Sequence, residues 1–114
     1  MFRMRRGEEA RVLETWPGVR RKTLALGERM VLLEVSMEAG SVGRAHSHPN
    51  EQVGYVVRGR LRLRIGSEVH ELGPGDAYVI PSGVEHEATA LEETRVVEVF
   101  SPPHEVFKRD LEEG

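Results

Sequence analysis

Charged and apolar residues alternate strictly along Arg60-Leu61-Arg62-Leu63-Arg64-Ile65. Period-two alternation predicts a strand with Leu61, Leu63 and Ile65 facing a core and the arginines facing water. Met30 to Met37, Val53 to Arg58, Ala77 to Ile80 and Arg95 to Phe100 are rich in β-branched, aliphatic and aromatic residues and predict further strands. Turn residues separate them at Gly27-Glu28, Gly40, Gly59, Gly66-Ser67, Gly73-Pro74-Gly75-Asp76 and Pro81-Ser82-Gly83. Helical periodicity is scarce. The tail from His104 to Gly114 fits a short C-terminal helix, with Val106, Phe107, Asp110 and Leu111 compatible with one. Short strands at this spacing predict an all-β sandwich or barrel.

At 114 residues the chain is expected to be a single domain, 1–114, with its barrel core at about 20–101. So small a domain buries its core inefficiently, which favours pairing with a second copy. Cysteine is absent, which removes disulfides, zinc-thiolate clusters and thiol nucleophiles. No apolar run approaches the roughly 18 residues of a membrane span, and no apolar stretch follows the basic start Met1 to Arg6. A signal peptide is therefore not expected, and the cytoplasm is the expected compartment. A net charge of −3 gives no reason to expect a nucleic acid partner. Lysine occurs only at 22 and 108, Asn50 is the single asparagine and Gln52 the single glutamine. Scarce amides without cysteine fit a hot habitat or a GC-rich genome.

Those two amides fall inside a histidine motif. His46-Ser47-His48 places two imidazoles on one face of an extended segment, where they can close on a single ion. Gln52 follows His48 by four positions and His86 lies far along the chain. Even spacing puts Gln52 on the face of His46 and His48, although Pro49-Asn50 blurs the parity and leaves Glu51 as the other candidate. Neutral imidazoles suit one divalent transition ion such as Ni, Zn, Mn, Fe or Cu.

Glycines frame these ligands. Gly40, five residues, His46-Ser47-His48, Gln52 and Gly59 form one block; Gly75, five residues, Pro81-Ser82-Gly83, two residues and His86 form a second. In both blocks the chain resembles the cupin superfamily, over Gly40 to Ala90. Ala90 stands where the second motif often ends in Asn. The resemblance implies a double-stranded β-helix, or jelly-roll barrel, with one metal inside, held by His46, His48, His86 and a fourth ligand. Many cupins carry Glu at the Gln52 position. A neutral amide there keeps the full charge of the ion, which favours an anionic small-molecule ligand. It also weakens metal binding relative to a carboxylate.

Val96, Glu98 and Phe100 share one face of an apolar strand, so Glu98 is a candidate carboxylate within the barrel, where burial raises its pKa towards general acid-base use. The run Glu98-Val99-Phe100-Ser101-Pro102-Pro103-His104, with His46-Ser47-His48-Pro49-Asn50-Glu51-Gln52, resembles small cupins that include the pectin-degradation type. Those convert unsaturated uronates into linear ketouronates, with Asp as acid/base and Arg after the prolines. Here Glu98 and His104 occupy those positions. Exchange of Arg for His removes a permanent cation. Arg44, two positions before His46, could replace it, and Tyr55 and Tyr78 could donate hydrogen bonds to a ligand. His70 and the row Arg60, Arg62, Arg64 read as solvated strand residues, the alternative for the row being to blunt an edge strand or meet acidic residues of a partner. The expected function is a metal-dependent enzyme opening or isomerising a sugar acid. A metal-dependent dioxygenase and a non-catalytic ligand-binding or sensory module are the alternatives. The resemblance adds a homodimer.

Overall fold

A computed structural model describes residues 3–113, with side chains described through 111; Met1, Phe2 and Gly114 lie outside the described residues. Ten strands form two antiparallel sheets. One has six strands in the order β1 (Val12–Trp16), β2 (Val19–Leu26), β3 (Val31–Met37), β10 (Thr94–Ser101), β5 (Glu51–Arg58) and β8 (Ala77–Ile80). The other has four, in the order β4 (Val42–His46), β9 (His86–Ala90), β6 (Leu61–Ile65) and β7 (Glu68–Leu72). The sheets face each other as a jelly roll, and a helix α1 (Glu105–Glu113) follows the last strand. This is the all-β architecture with a short C-terminal helix expected above.

The alternating segments fold as their pattern requires. On β5 the residues Gln52, Gly54 and Val56 are buried while Glu51, Val53, Tyr55 and Val57 are exposed. On β6 Leu61 and Leu63 are buried, and Arg60 and Arg64 pair in solvent with Glu71 and Glu85. Such exposed ion pairs contribute little stability. Leu61, Leu63, Val56, Ile80 and Val96 join the two sheets in one core. A second cluster, Val31, Leu33, Phe100 and Phe107, seats α1 against the larger sheet. Burying one phenylalanine of this kind stabilises by about 2 kcal/mol.

Asp110 of α1 reaches across to β2. It accepts hydrogen bonds from Arg21 Nε (2.9 Å), Arg21 Nη2 (3.0 Å) and Thr23 Oγ1 (2.6 Å). The Arg21 guanidinium also lies over the Phe107 ring, 5.4 Å from its centroid. The helix is thus fastened by one apolar contact and one buried polar cluster.

Strands β1, β2, β4, β7 and β9 were not legible as apolar runs. The cause on β4 and β9 is that their inward positions face a cavity, so Gly43, His46, His86 and Ala88 stand where a filled core needs Val or Leu. Strand β1 is a sheet edge with no fully buried residue. Strand structure accordingly begins at Val12, ahead of the expected barrel core. Gly59 closes the β5–β6 turn at φ 95°, and a Cβ there would lie 2.3 Å from the Glu93 carbonyl oxygen, so no side chain fits.

Candidate metal centre

The two histidine-bearing segments meet by register. Strands β4 and β9 are paired so that His46 stands directly opposite His86. The chain then leaves β4 through Ser47 and His48 and enters β5 in the other sheet, which brings His48 across the barrel towards the first two. Ring centroids are 4.4 Å apart for His46 and His86, 5.0 Å for His48 and His86, and 5.6 Å for His46 and His48. One ring nitrogen from each lies within 4.8 Å of the others.

Backbone carbonyls set the tautomers. His46 Nδ1 is 2.7 Å from the Arg44 oxygen, His48 Nδ1 2.9 Å from the Asn50 oxygen, and His86 Nδ1 2.9 Å from the Val84 oxygen. A carbonyl can only accept, so each Nδ1 carries the proton and each Nε2 presents a lone pair. His86 Nε2 is buried with no hydrogen-bond partner. Burial also pushes the His86 imidazole below its ordinary pKa, which keeps it neutral and able to ligate. His48 Nε2 lies 3.1 Å from Gln52 Oε1, so two acceptors face each other without a proton between them. An orphaned lone pair and two facing acceptors are what a cation would satisfy. Two ligand atoms at right angles, each about 2.1 Å from one ion, stand about 3 Å apart. The donor set therefore fits a divalent transition ion. Gln52 is buried on the inward face of β5, whereas Glu51 is exposed.

Behind Gln52 sits Glu98. Gln52 Nε2 donates to Glu98 Oε2 at 2.6 Å, and the Tyr78 hydroxyl donates to the same oxygen at 2.5 Å. Oε1 makes no hydrogen bond among the described residues. Glu98 keeps some accessible surface, but that surface faces the cavity. Burial pushes its carboxyl above the usual range, opposed by the hydrogen bonds from Tyr78 and Gln52 and by the neighbouring His46. Burial, together with the Glu98 charge and hydrogen bond, pushes the Tyr78 hydroxyl well above its ordinary value, so it remains a donor.

These groups line a cavity of about 600 Å³, the size of a small-molecule site. Its wall is largely apolar and includes Trp16, Leu33, Val35 and Phe100. Trp16 packs 5.3 Å from His46, and Phe100 packs 5.3 Å from His48. Phe100 shares the inward face of its strand with Glu98, as the alternation predicts, whereas Trp16 and Arg21 were not expected as lining residues; for Trp16 its being the single tryptophan was a signal. Asn50 is also placed. Its buried side chain donates to the Pro102 carbonyl, tying the start of β5 to the chain after β10.

Other candidates lie elsewhere. Tyr55 is exposed on the outer face of β5, because it shares parity with Val53 and Val57. Arg44 is exposed and absent from the cavity wall; an irregularity between Gly43 and His46 breaks the parity that pointed it inward. Its contribution to the site is its backbone carbonyl. Among the described residues, Arg21 is the one arginine or lysine lining the cavity. His104 lies at the cavity rim, exposed, where its Nδ1 accepts the Val106 amide at 3.0 Å and caps α1. His70 is exposed beside Glu68.

The Cupin_2 family model, a cupin domain, matches residues 33–101. The chain belongs to the cupin family. This cupin is 30% identical to the pectin degradation protein KdgF of Dickeya dadantii over 96 residues, 82% of this chain and 87% of that protein. The structure of KdgF from Halomonas sp. superposes with a TM-score of 0.85 at 32% identity, covering 93% of this cupin and 98% of that chain. An RmlC-like cupin from Shewanella frigidimarina superposes with a TM-score of 0.88 at 25% identity, covering 94% and 96%. No described helix is long and apolar enough to cross a membrane.

Proposed function

We propose that this cupin is a metal-dependent enzyme that opens or isomerises the ring of a small anionic molecule, a sugar acid of the unsaturated uronate class being its most concrete substrate. The observation that carries the reading is Glu98: a carboxylate enclosed in the cavity, in contact with a metal-ligand candidate, with one oxygen uncommitted. Holding Gln52 occupies only Oε2, and the second oxygen, left without a partner in the cavity, is what a proton carrier requires. Two KdgF proteins among the relatives, the Dickeya one called a pectin degradation protein, support a substrate from that chemistry, and the unsaturated uronate is what the motif resemblance implies.

His46, His48, His86 and Gln52 would hold one divalent transition ion, which when bound supplies a Lewis acid that orients and polarises a substrate oxygen. Glu98 Oε1 then takes the proton from the hydroxyl of a cyclic hemiacetal. As the ring C–O bond breaks and the carbonyl forms, the same carboxyl returns the proton to the departing ring oxygen, so the step consumes nothing. Trp16, Leu33 and Phe100 exclude water from this exchange. Arg21 replaces Arg44 as the candidate cation for the substrate carboxylate. Its pairing with Asp110 orients the guanidinium while cancelling part of its charge. The chain further acts as a homodimer, joined through the outer face of the larger sheet. There Val53, Tyr55, Val57 and Val79 are exposed beside Val97 and Val99.

Proton transfer by a positioned carboxyl contributes about 10²- to 10⁴-fold. Glu98→Gln is expected to lose that factor in turnover of an unsaturated uronate, followed by proton NMR of the linear product. Unchanged turnover in the variant removes Glu98 from the mechanism.

A further inference from the structure

Gln52 poses a problem that histidine does not. Its amide is nearly symmetric in shape, so packing alone does not decide whether oxygen or nitrogen faces the ion. The oxygen can ligate; the NH₂ group cannot. Something must fix the amide the right way round.

We infer that Glu98 and Tyr78 form a clamp that fixes the Gln52 amide with Oε1 towards the imidazoles, an inference that rests on the metal-site reading above. The clamp is built across three adjacent strands. Glu98 on β10 stands opposite Gly54 on β5, and Gly54 stands opposite Tyr78 on β8. Gly54 is the gap that lets the Tyr78 side chain cross β5. A Cβ at 54 would lie 2.1 Å from Tyr78 Cζ and 2.3 Å from its hydroxyl oxygen. Through that gap the hydroxyl reaches Glu98 Oε2 at 2.5 Å, and the same oxygen accepts Gln52 Nε2 at 2.6 Å. Turning the amide over would set Gln52 Oε1 against Oε2 of Glu98. The carboxylate thus holds the NH₂ end, and the carbonyl end is delivered 3.1 Å from His48 Nε2.

There is an electrostatic consequence. The amide is neutral, but a carboxylate hydrogen-bonded to its nitrogen polarises it and makes Oε1 more negative. The negative charge of the site sits one residue outward from the ligand. Glu98 and Tyr78 are in this respect positioning residues, in addition to the proton transfer assigned to Oε1 of Glu98.

Cobalt(II) titration of chelator-stripped protein, followed by visible absorption, tests this without reference to turnover. Glu98→Leu is expected to weaken Co(II) binding about 10- to 100-fold and to shift the absorption bands towards those of Gln52→Ala. In the Gln52→Ala background the same Glu98→Leu change should cost clearly less than in the wild-type background, because the clamp then has nothing to hold and only the direct attraction of the carboxylate for the ion is lost. Glu98→Gln should keep the wild-type bands, since its amide oxygen still accepts from Gln52 and Tyr78. Tyr78→Phe provides the same comparison with a smaller loss should Glu98→Leu fail to fold. Equal losses in both backgrounds, or wild-type affinity and bands in both Glu98→Leu and Tyr78→Phe, overturn the inference and leave the metal site standing. Absence of Co(II) binding by the wild-type protein overturns both.

Discussion

Gly54 is the residue on which the geometry of the site turns most sharply. Its missing side chain is filled by the Tyr78 ring, so the Cβ of Gly54→Ala would lie 2.1 Å from Tyr78 Cζ and force the ring to move. Overpacking of this kind costs about 1–3 kcal/mol. Thermal denaturation should show a lower midpoint for Gly54→Ala, and tyrosine fluorescence a more exposed ring; an unchanged midpoint would show that the ring has another place to go. None of this was legible in the sequence, where Gly54 is one glycine of 12. The histidines were legible because chelation needs fixed spacing, and spacing is what a sequence displays. Gln52 over Glu51 followed from parity, since β5 alternates without interruption from its first residue. Arg44 failed on the same rule because β4 is irregular between Gly43 and His46. Tyr55 and Tyr78 looked equivalent as hydrogen-bond donors and differ only in which face of the sheet they occupy.

At the level of elements, the pattern of apolar residues revealed the strands that fill the core and hid those that line the cavity. Strand β9 reads His86-Glu87-Ala88-Thr89-Ala90, with small inward side chains that leave room for a ligand and erase the hydrophobic signal. Helix α1 was visible as a tendency, but its role was not. It seats Phe107 on Phe100, 5.2 Å between centroids, and Phe100 in turn packs on His48. The helix therefore backs one wall of the candidate metal centre. Asp110 is its main polar anchor, 8% exposed against an Arg21 that keeps 19%. Removing one partner of a buried pair costs about 3–5 kcal/mol, and the residual exposure of Arg21 places this case near the lower end. Asp110→Ala should destabilise by about 3 kcal/mol in urea denaturation and raise amide exchange selectively in α1. Exchange that rises uniformly over the barrel would instead assign Asp110 to the global core.

The whole molecule is a jelly roll whose two sheets each supply part of one site: His46 and His86 from the four-stranded sheet, Gln52, Tyr78 and Glu98 from the six-stranded one, and His48 from the crossing between them. This explains why the fold was readable from the glycine and histidine frames while the contacts of Glu98 with Gln52 and Tyr78 were not. The frames mark where the chain crosses and turns, whereas the proposed chemistry rests on contacts such as that of Glu98 with Tyr78, which are remote in sequence. On the outer face of the six-stranded sheet, Val53, Tyr55, Val57 and Val79 are exposed, and this is the face proposed to pair with a second copy. Light scattering at micromolar concentration should give twice the single-chain mass, and Tyr55→Arg should halve it; a single-chain mass for the wild type contradicts the dimer. Metal binding is the property from which the proposed chemistry follows. Chelator-stripped protein titrated calorimetrically with Zn(II) is expected to bind one ion per chain and to melt at a higher temperature when loaded, with both effects lost in His86→Ala. A wild-type protein that takes up no ion, or a His86→Ala variant that binds as the wild type does, would contradict it.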